Sequence, residues 1–262
     1  MRHELRAEWT KLRTTPGPAW LLVAIVVLTV SLSAAVSHYT TAQLPCPRTG
    51  CLQDVAKLSL SGVAVGQVAV ALLAVSVLSA EYGTGLMRVT LAAMPRRGRV
   101  LAAKAVLVCG LTVAAGAPAV LGSLLAGRSL LPGNGFTPAH GFPPLSPADG
   151  SIVRAAVGSV LYLVLIGLLS LGVAAVVRDS AAAVGAVLGL LYILPVLMLI
   201  VGDEEWQRRL SRFSPMNAGL TVQSTAQLTE LPLAPWAGLG VTAGWAGAAL
   251  LAGWLALNRR DA

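Results

Sequence analysis

Few residues in this 262-residue chain have the type and spacing to do covalent chemistry. Cys46 and Cys51 bracket the short segment 47–50 and could close a disulfide in an oxidising compartment; two free thiols or a shared metal site are the alternatives. No His or second cysteine pair stands at metal-ligand spacing from them. His3, His38 and His140 are scattered over unrelated segments, and Cys109 stands alone in an apolar run as a small hydrophobe. The chain has no Gly-x-x-x-x-Gly-Lys-Ser/Thr phosphate loop, no His-Glu-x-x-His and no Gly-x-Ser-x-Gly. Within the apolar runs the polar candidates are Ser, Thr, Tyr, Gln67 and Cys109, types that usually serve helix packing. Nothing here points to an enzyme or to a bound metal or cofactor.

The segment 81–97 is the strongest candidate for mechanical work. Glu81 and Tyr82 end an apolar run, and a short amphipathic stretch follows with Met87, Leu91 and Met94 on one face and Arg88 on another. Pro95 ends that stretch, and Arg96, Arg97 and Arg99 lead to the next apolar run at Lys104. A helix lying parallel to a membrane can pass the motion of a soluble partner into the two spans that flank it. The plainer reading is a basic cytoplasmic loop.

These segments are positioned by long oily helices. Hydrophobic residues make up 56% of the chain and charged residues only 11%, against about 25% charged in soluble domains. A span needs about 20 mainly apolar residues, and six runs qualify: 19–36, 59–80, 100–125, 152–177, 180–201 and 236–257. The expected fold is therefore an all-α integral membrane protein, a single domain of six transmembrane helices over 1–262. Alternating β-barrel strands are absent from the pattern.

With the N-terminus inside, cytoplasmic segments hold twelve Lys and Arg residues and outer segments seven, so both termini are expected in the cytoplasm. The first run is longer than a signal-peptide core, which favours an uncleaved anchor over cleavage near Ser33-Ala34-Ala35. The net charge of +8 is dispersed in short clusters between uncharged runs, not on one contiguous face, which argues against nucleic acid as a partner.

Leu5, Trp9 and Leu12 recur at helical spacing and predict an amphipathic helix on the inner membrane surface. Trp206, Leu210 and Phe213 repeat that spacing outside, where Glu204 with Arg208 and Glu205 with Arg209 support a short helix. The loop 127–150, rich in Gly and Pro, is expected to be irregular. Gly62 with Gly66, Gly185 with Gly189, and the ridge Gly240, Gly244, Ala248 and Ala252 suit tight helix contacts, within the chain or across a dimer. Pro118 and Pro195 should kink their helices. No acid or base falls in the middle of a run, which disfavours ion coupling and leaves any pumping dependent on a partner's energy.

Taken in order, Glu81-Tyr82, Thr84-Gly85, Arg88, Thr90-Leu91, Pro95-Arg96-Arg97 and Leu101-Ala102-Ala103-Lys104 resemble the segment between the second and third spans of type-2 ABC transporter permeases. The actinobacterial branch is the nearest likeness. The opening Glu8-Trp9-Thr10-Lys11-Leu12-Arg13-Thr14 and the run Ser214-Pro215-Met216-Asn217-Ala218-Gly219 before the last span fit the same branch.

The resemblance implies a six-helix exporter subunit without its own ATPase, paired with a second permease copy and with cytoplasmic ABC ATPase subunits that hold ATP and magnesium. It implies that the N-terminal helix and Glu81, Tyr82, Gly85, Arg88, Pro95, Arg96 and Arg97 meet the ATPase. It also implies that Trp206, Leu210, Phe213, Pro215 and Asn217 belong to an extracellular lid. Uncharged spans favour an amphipathic or lipophilic cargo. A membrane sensor or scaffold that moves nothing is the alternative.

Overall fold

The computed structural model describes residues 16–42, 53–83, 97–146, 148–200, 203–229 and 231–259. Among them nine α-helices and three 3-10 turns occur, with no strand. In chain order the helices are α1 (Pro16–Tyr39), α2 (Val55–Ser59), α3 (Val63–Gly83), α4 (Arg97–Leu130), α5 (Gly150–Val177), α6 (Ser180–Ile200), α7 (Glu204–Phe213), α8 (Pro215–Leu220) and α9 (Pro235–Arg259).

Five of these, α1, α4, α5, α6 and α9, are long and apolar enough to cross a membrane, so the protein has the character of a multi-pass membrane protein. The helix α3 is apolar too, but its apolar part, Val63–Ser79, is shorter. Among the described helices α7 is the strongly two-faced one. The spanning helices are apolar on all sides, as expected where lipid replaces water.

The helix α5 is the central post. It packs against α3, α4, α6 and α9, and its inward positions Ala155, Leu163, Ile166, Leu169, Leu171 and Ala175 are essentially inaccessible. Asp149 starts it by accepting the Ser151 N–H at 2.8 Å, and Arg178 ends it in the left-handed region at φ 63°. Asp179 then caps α6 through the Ala182 N–H at 2.7 Å, so α5 and α6 form a tight antiparallel pair.

The sequence run 59–80 is divided in the structure. Asp54 caps the short helix α2, the turn 60–62 breaks the axis, and α3 starts at Val63. The break lets the chain press against α1: a Cβ on Gly62 would overlap the Thr29 carbonyl oxygen, and one on Gly66 would overlap the Thr29 hydroxyl. This glycine pair makes the close contact its spacing suits. Among the described residues the other two ridges make no such contact. Gly185, Gly240 and Gly244 have no neighbour within 4 Å of a built Cβ, and α9 turns Gly238, Thr242, Ala246 and Gly253 inward instead.

The Gly- and Pro-rich loop is more ordered than its composition predicts. The helix α4 runs on to Leu130, and 3-10 turns follow at Leu131–Asn134 and Pro138–His140. Val55, Leu131, Phe136 and Phe142 give the loop a small core of its own. Asn134 Nδ2 ties it to α1 by donating to the carbonyls of Ser37 and His38, each at 2.8 Å.

Candidate functional site

The tryptophans of α9 supply a depth scale. Trp236 and Trp254 stand near its two ends, 56% and 43% exposed, and are eighteen residues apart. At 1.5 Å per residue the separation is about 27 Å, close to the thickness of a hydrocarbon core. Aromatic side chains of that kind favour the two membrane–water boundaries. Trp245 lies nine residues from each and so marks the middle.

The segment after α6 reaches that middle level and turns back. Trp245 Nε1 donates to the carbonyl of Phe213, the last residue of α7, at 2.9 Å. A helix cannot run through the next two positions, because Pro215 has no N–H and disfavours helical backbone at Ser214. Ser214 is extended at ψ 122° and caps α8, with Pro215 at the first helical position.

From there the chain climbs between α5 and α9. Thr242 Oγ1 donates to the Pro215 carbonyl at 3.0 Å. Gly219 lies flat on the Tyr162 ring, where a Cβ would overlap the ring, and a Cβ on Gly238 would overlap the Ala218 carbonyl. Residues 204–223 thus form a re-entrant hairpin of two short helices and a 3-10 turn, with its tip at the level of Trp245.

The hairpin is tied at its exit by polar groups from α5, from the turn 60–62 and from the cap of α2. Gln223, 3% exposed, donates through Nε2 to Ser159 Oγ at 3.1 Å and to the Leu60 carbonyl at 3.4 Å. Arg154 Nη2 donates to the Ser224 carbonyl at 2.6 Å. Asp54 does double work: one oxygen accepts from the Ala56 and Lys57 N–H groups of its own helix and from Thr225 Oγ1 at 2.8 Å. Its other oxygen accepts the N–H groups of Thr225 and Ala226. One carboxylate therefore fastens the start of α2 to the return limb of the hairpin.

Beneath the hairpin lies a second polar knot. The Tyr162 hydroxyl donates to Gln67 Oε1, Gln67 Nε2 donates to the Tyr192 hydroxyl at 3.1 Å and to the Ala64 carbonyl at 3.0 Å, and the Tyr192 hydroxyl also donates to Ala64. Gln67 and Tyr162 are wholly buried, so α3, α5 and α6 are joined by side-chain hydrogen bonds in an apolar bundle. Gln67→Leu removes the acceptor of a buried hydroxyl and both amide bonds. It is expected to lower the stability of the detergent-solubilised protein by about 1–2 kcal/mol; an unchanged melting temperature would show that the knot is energetically idle.

On α7, Glu205 and Arg209 form an exposed ion pair at 2.7 Å, and the Arg209 guanidinium sits 5.9 Å from the Trp206 ring centre. Trp206 and Phe213 are 57% and 71% exposed, and Leu210 is half-buried. Pro215 is buried, and the Asn217 N–H is taken by Ser214 Oγ at 3.4 Å. The five residues that the sequence groups as a lid thus share one hairpin, but its tip reaches the level of mid-α9.

The coupling residues are reached only at their edges. Glu81 and Tyr82 close α3, and Arg97 opens α4. Gly85, Arg88, Pro95 and Arg96 lie outside the described residues, as do Leu5, Trp9 and Leu12 of the interface helix and the pair Cys46 and Cys51. Lys104 holds a place that the loop reading does not foresee: it is wholly buried, and its Nζ donates to the Val77 carbonyl on α3 at 2.8 Å. That bond links the two helices flanking the segment.

Asp54, Tyr162, Thr242 and Trp245 escape a reading of the sequence, since their long-range partners are 27 to 172 residues away in the chain. Among the described residues no three His, Cys, Asp or Glu side chains gather to hold a metal ion. No protein-family model matches the chain, and no curated protein matches it in sequence.

Proposed function

We propose that the chain is the membrane subunit of an ATP-driven exporter of the type-2 ABC class, moving an amphipathic or lipophilic substrate across the cytoplasmic membrane. In this reading α3 is a sixth span, both termini are cytoplasmic, and α7 and α8 belong to the extracellular half. The observation that carries the reading is the re-entrant hairpin. A hairpin whose second limb is buried between α5 and α9 and anchored by reversible hydrogen bonds is suited to close a path that must open only during transport.

The resemblance of the segment 81–97 to a coupling segment supports a cytoplasmic ATPase as partner, with ATP and magnesium bound there. Lys104, clamped to α3, would carry a push on that segment into both flanking helices. The open small-residue stripes on α6 and α9 support a second permease copy, with lipid covering the rest.

Alkaline-resistant membrane extraction followed by pull-down tests the assignment. The expected result is co-purification of a nucleotide-hydrolysing subunit; normal export after deletion, with a partner that hydrolyses no nucleotide, would favour a scaffold. Within the segment, Glu81→Ala and Arg88→Glu are each expected to cut export about fivefold or more, the usual scale of coupling between sites, while membrane insertion stays normal. Wild-type export by either variant removes that residue from the mechanism.

A further inference from the structure

We propose that the groove between α4 and α5 beside the loop 131–146 is a binding site for an anionic phospholipid, its phosphate held by Arg128 and an acyl chain lying along the two helices. The groove has a volume of about 310 Å³, and its walls include Leu121, Leu125, Val153 and Val157. Among the described residues Arg128 is the one charged side chain that lines it. A second cleft of about 420 Å³ opens under the loop, where Pro132, Pro143, Pro144 and Ser146 form the roof. Arg128 and Leu145 line both spaces, so an apolar leg meets a second chamber at a guanidinium. That sequence of environments matches the order of parts in a glycerophospholipid: hydrocarbon, phosphate, headgroup.

The depth fits as well. Gly172 of α5 packs against Ala249 and Gly253 of α9. Val157 is about 22 Å up α5 from that contact, and Trp236 about 20–25 Å up α9. The inner end of the groove is therefore level with the boundary that Trp236 marks, and Arg128 lies beyond it, at the level of headgroups.

The walls are preformed. The Phe136–Phe142 contact, with ring centres 4.8 Å apart, and the Asn134 bonds to α1 hold the loop in place over the cleft. Charge selects the class of lipid. Arg128 is exposed, and among the described residues no carboxylate pairs with it. A guanidinium takes a phosphate through two parallel N–H bonds. A phosphatidylglycerol-type headgroup leaves the pair neutral, whereas a zwitterionic one brings its own ammonium to the cation. Basic pockets between spanning helices bind anionic headgroups by the same physics. This inference needs only the membrane setting of the helices and stands apart from the exporter reading.

Native mass spectrometry of the full-length protein in detergent, with dioleoylphosphatidylglycerol or dioleoylphosphatidylcholine added, tests it. The expected result is preferential retention of phosphatidylglycerol. Arg128→Gln should weaken that retention about tenfold, and Arg128→Lys should lose less. Ala156→Phe, which fills the apolar leg and leaves the cation in place, should also displace the lipid. Arg128→Gln is an exposed change expected to keep the lipid-free melting temperature, so its result decides the matter even if Ala156→Phe folds poorly. Equal retention of the two lipids, or undiminished phosphatidylglycerol binding by Arg128→Gln, overturns the proposal.

Discussion

Alanine at Asp54 is expected to free the return limb of the re-entrant hairpin and to cost about 3–4 kcal/mol of stability. The carboxylate caps α2, a function worth about 0.5–2 kcal/mol, and it also accepts three bonds from Thr225 and Ala226. Hydrogen bonds to a charged acceptor contribute about 1.5–3 kcal/mol, although bonds that share one carboxylate do not add in full. Asn keeps one acceptor oxygen and should fall between Ala and wild type.

Global and local effects can be separated. A melting curve reads the total, and amide exchange reads the hairpin. If Asp54 is the fastening point, residues 221–229 should exchange much faster in Asp54→Ala, while amides of the α5 centre follow the global change alone. Unaltered exchange over 221–229 would mean that Gln223 and Arg154 hold the limb without it. Under the exporter reading the same variant should also leak, because the proposed plug is no longer pinned.

The second large effect concerns where the bundle has no space to give. Gly172→Val is expected to destabilise by about 3 kcal/mol or to prevent folding. A Cβ there would meet the α9 backbone at Ala249 and Leu250, which cannot move aside as a flexible side chain could. Gly244→Val, on α9 but with no described neighbour within 4 Å, should leave the stability of the isolated chain within about 0.5 kcal/mol of wild type. The contrast excludes a general intolerance of glycine replacement. If a second copy packs on the open stripe, Gly244→Val should weaken its association while the subunit stays folded. A destabilised Gly244→Val chain, or a normal Gly172→Val one, contradicts the packing described.

Much of the helical scaffold was legible in advance. The apolar runs mark the long helices to within a few residues, because the hydrocarbon thickness sets the length of a segment and lipid forbids charge in its middle. The charge-paired stretch with Trp206, Leu210 and Phe213 at i, i+4 and i+7 announces α7, since amphipathic spacing is a local property.

Other features followed a different logic. The run 59–80 reads as one helix, yet the turn 60–62 splits it and lets Gly62 and Gly66 press against Thr29. Three small-residue ridges look alike in the sequence; among the described residues only the one facing α1 closes on a neighbouring helix. Which ridge closes depends on how each helix is rotated, and rotation is set by the neighbours on all sides.

By itself, then, the order of amino acids determined the solvent of this protein, the extent of its long helices and the presence of a charged, two-faced helix before the last of them. Those are properties of single segments meeting water or lipid. Only the tertiary structure decided that this helix leads into the bundle and back, that one carboxylate at Asp54 fastens its return, that Lys104 is buried between α3 and α4, and that Arg128 crowns an apolar groove. Each depends on groups far apart in the chain, and in an oily bundle a polar side chain takes whichever partner the packing of the helices brings within reach.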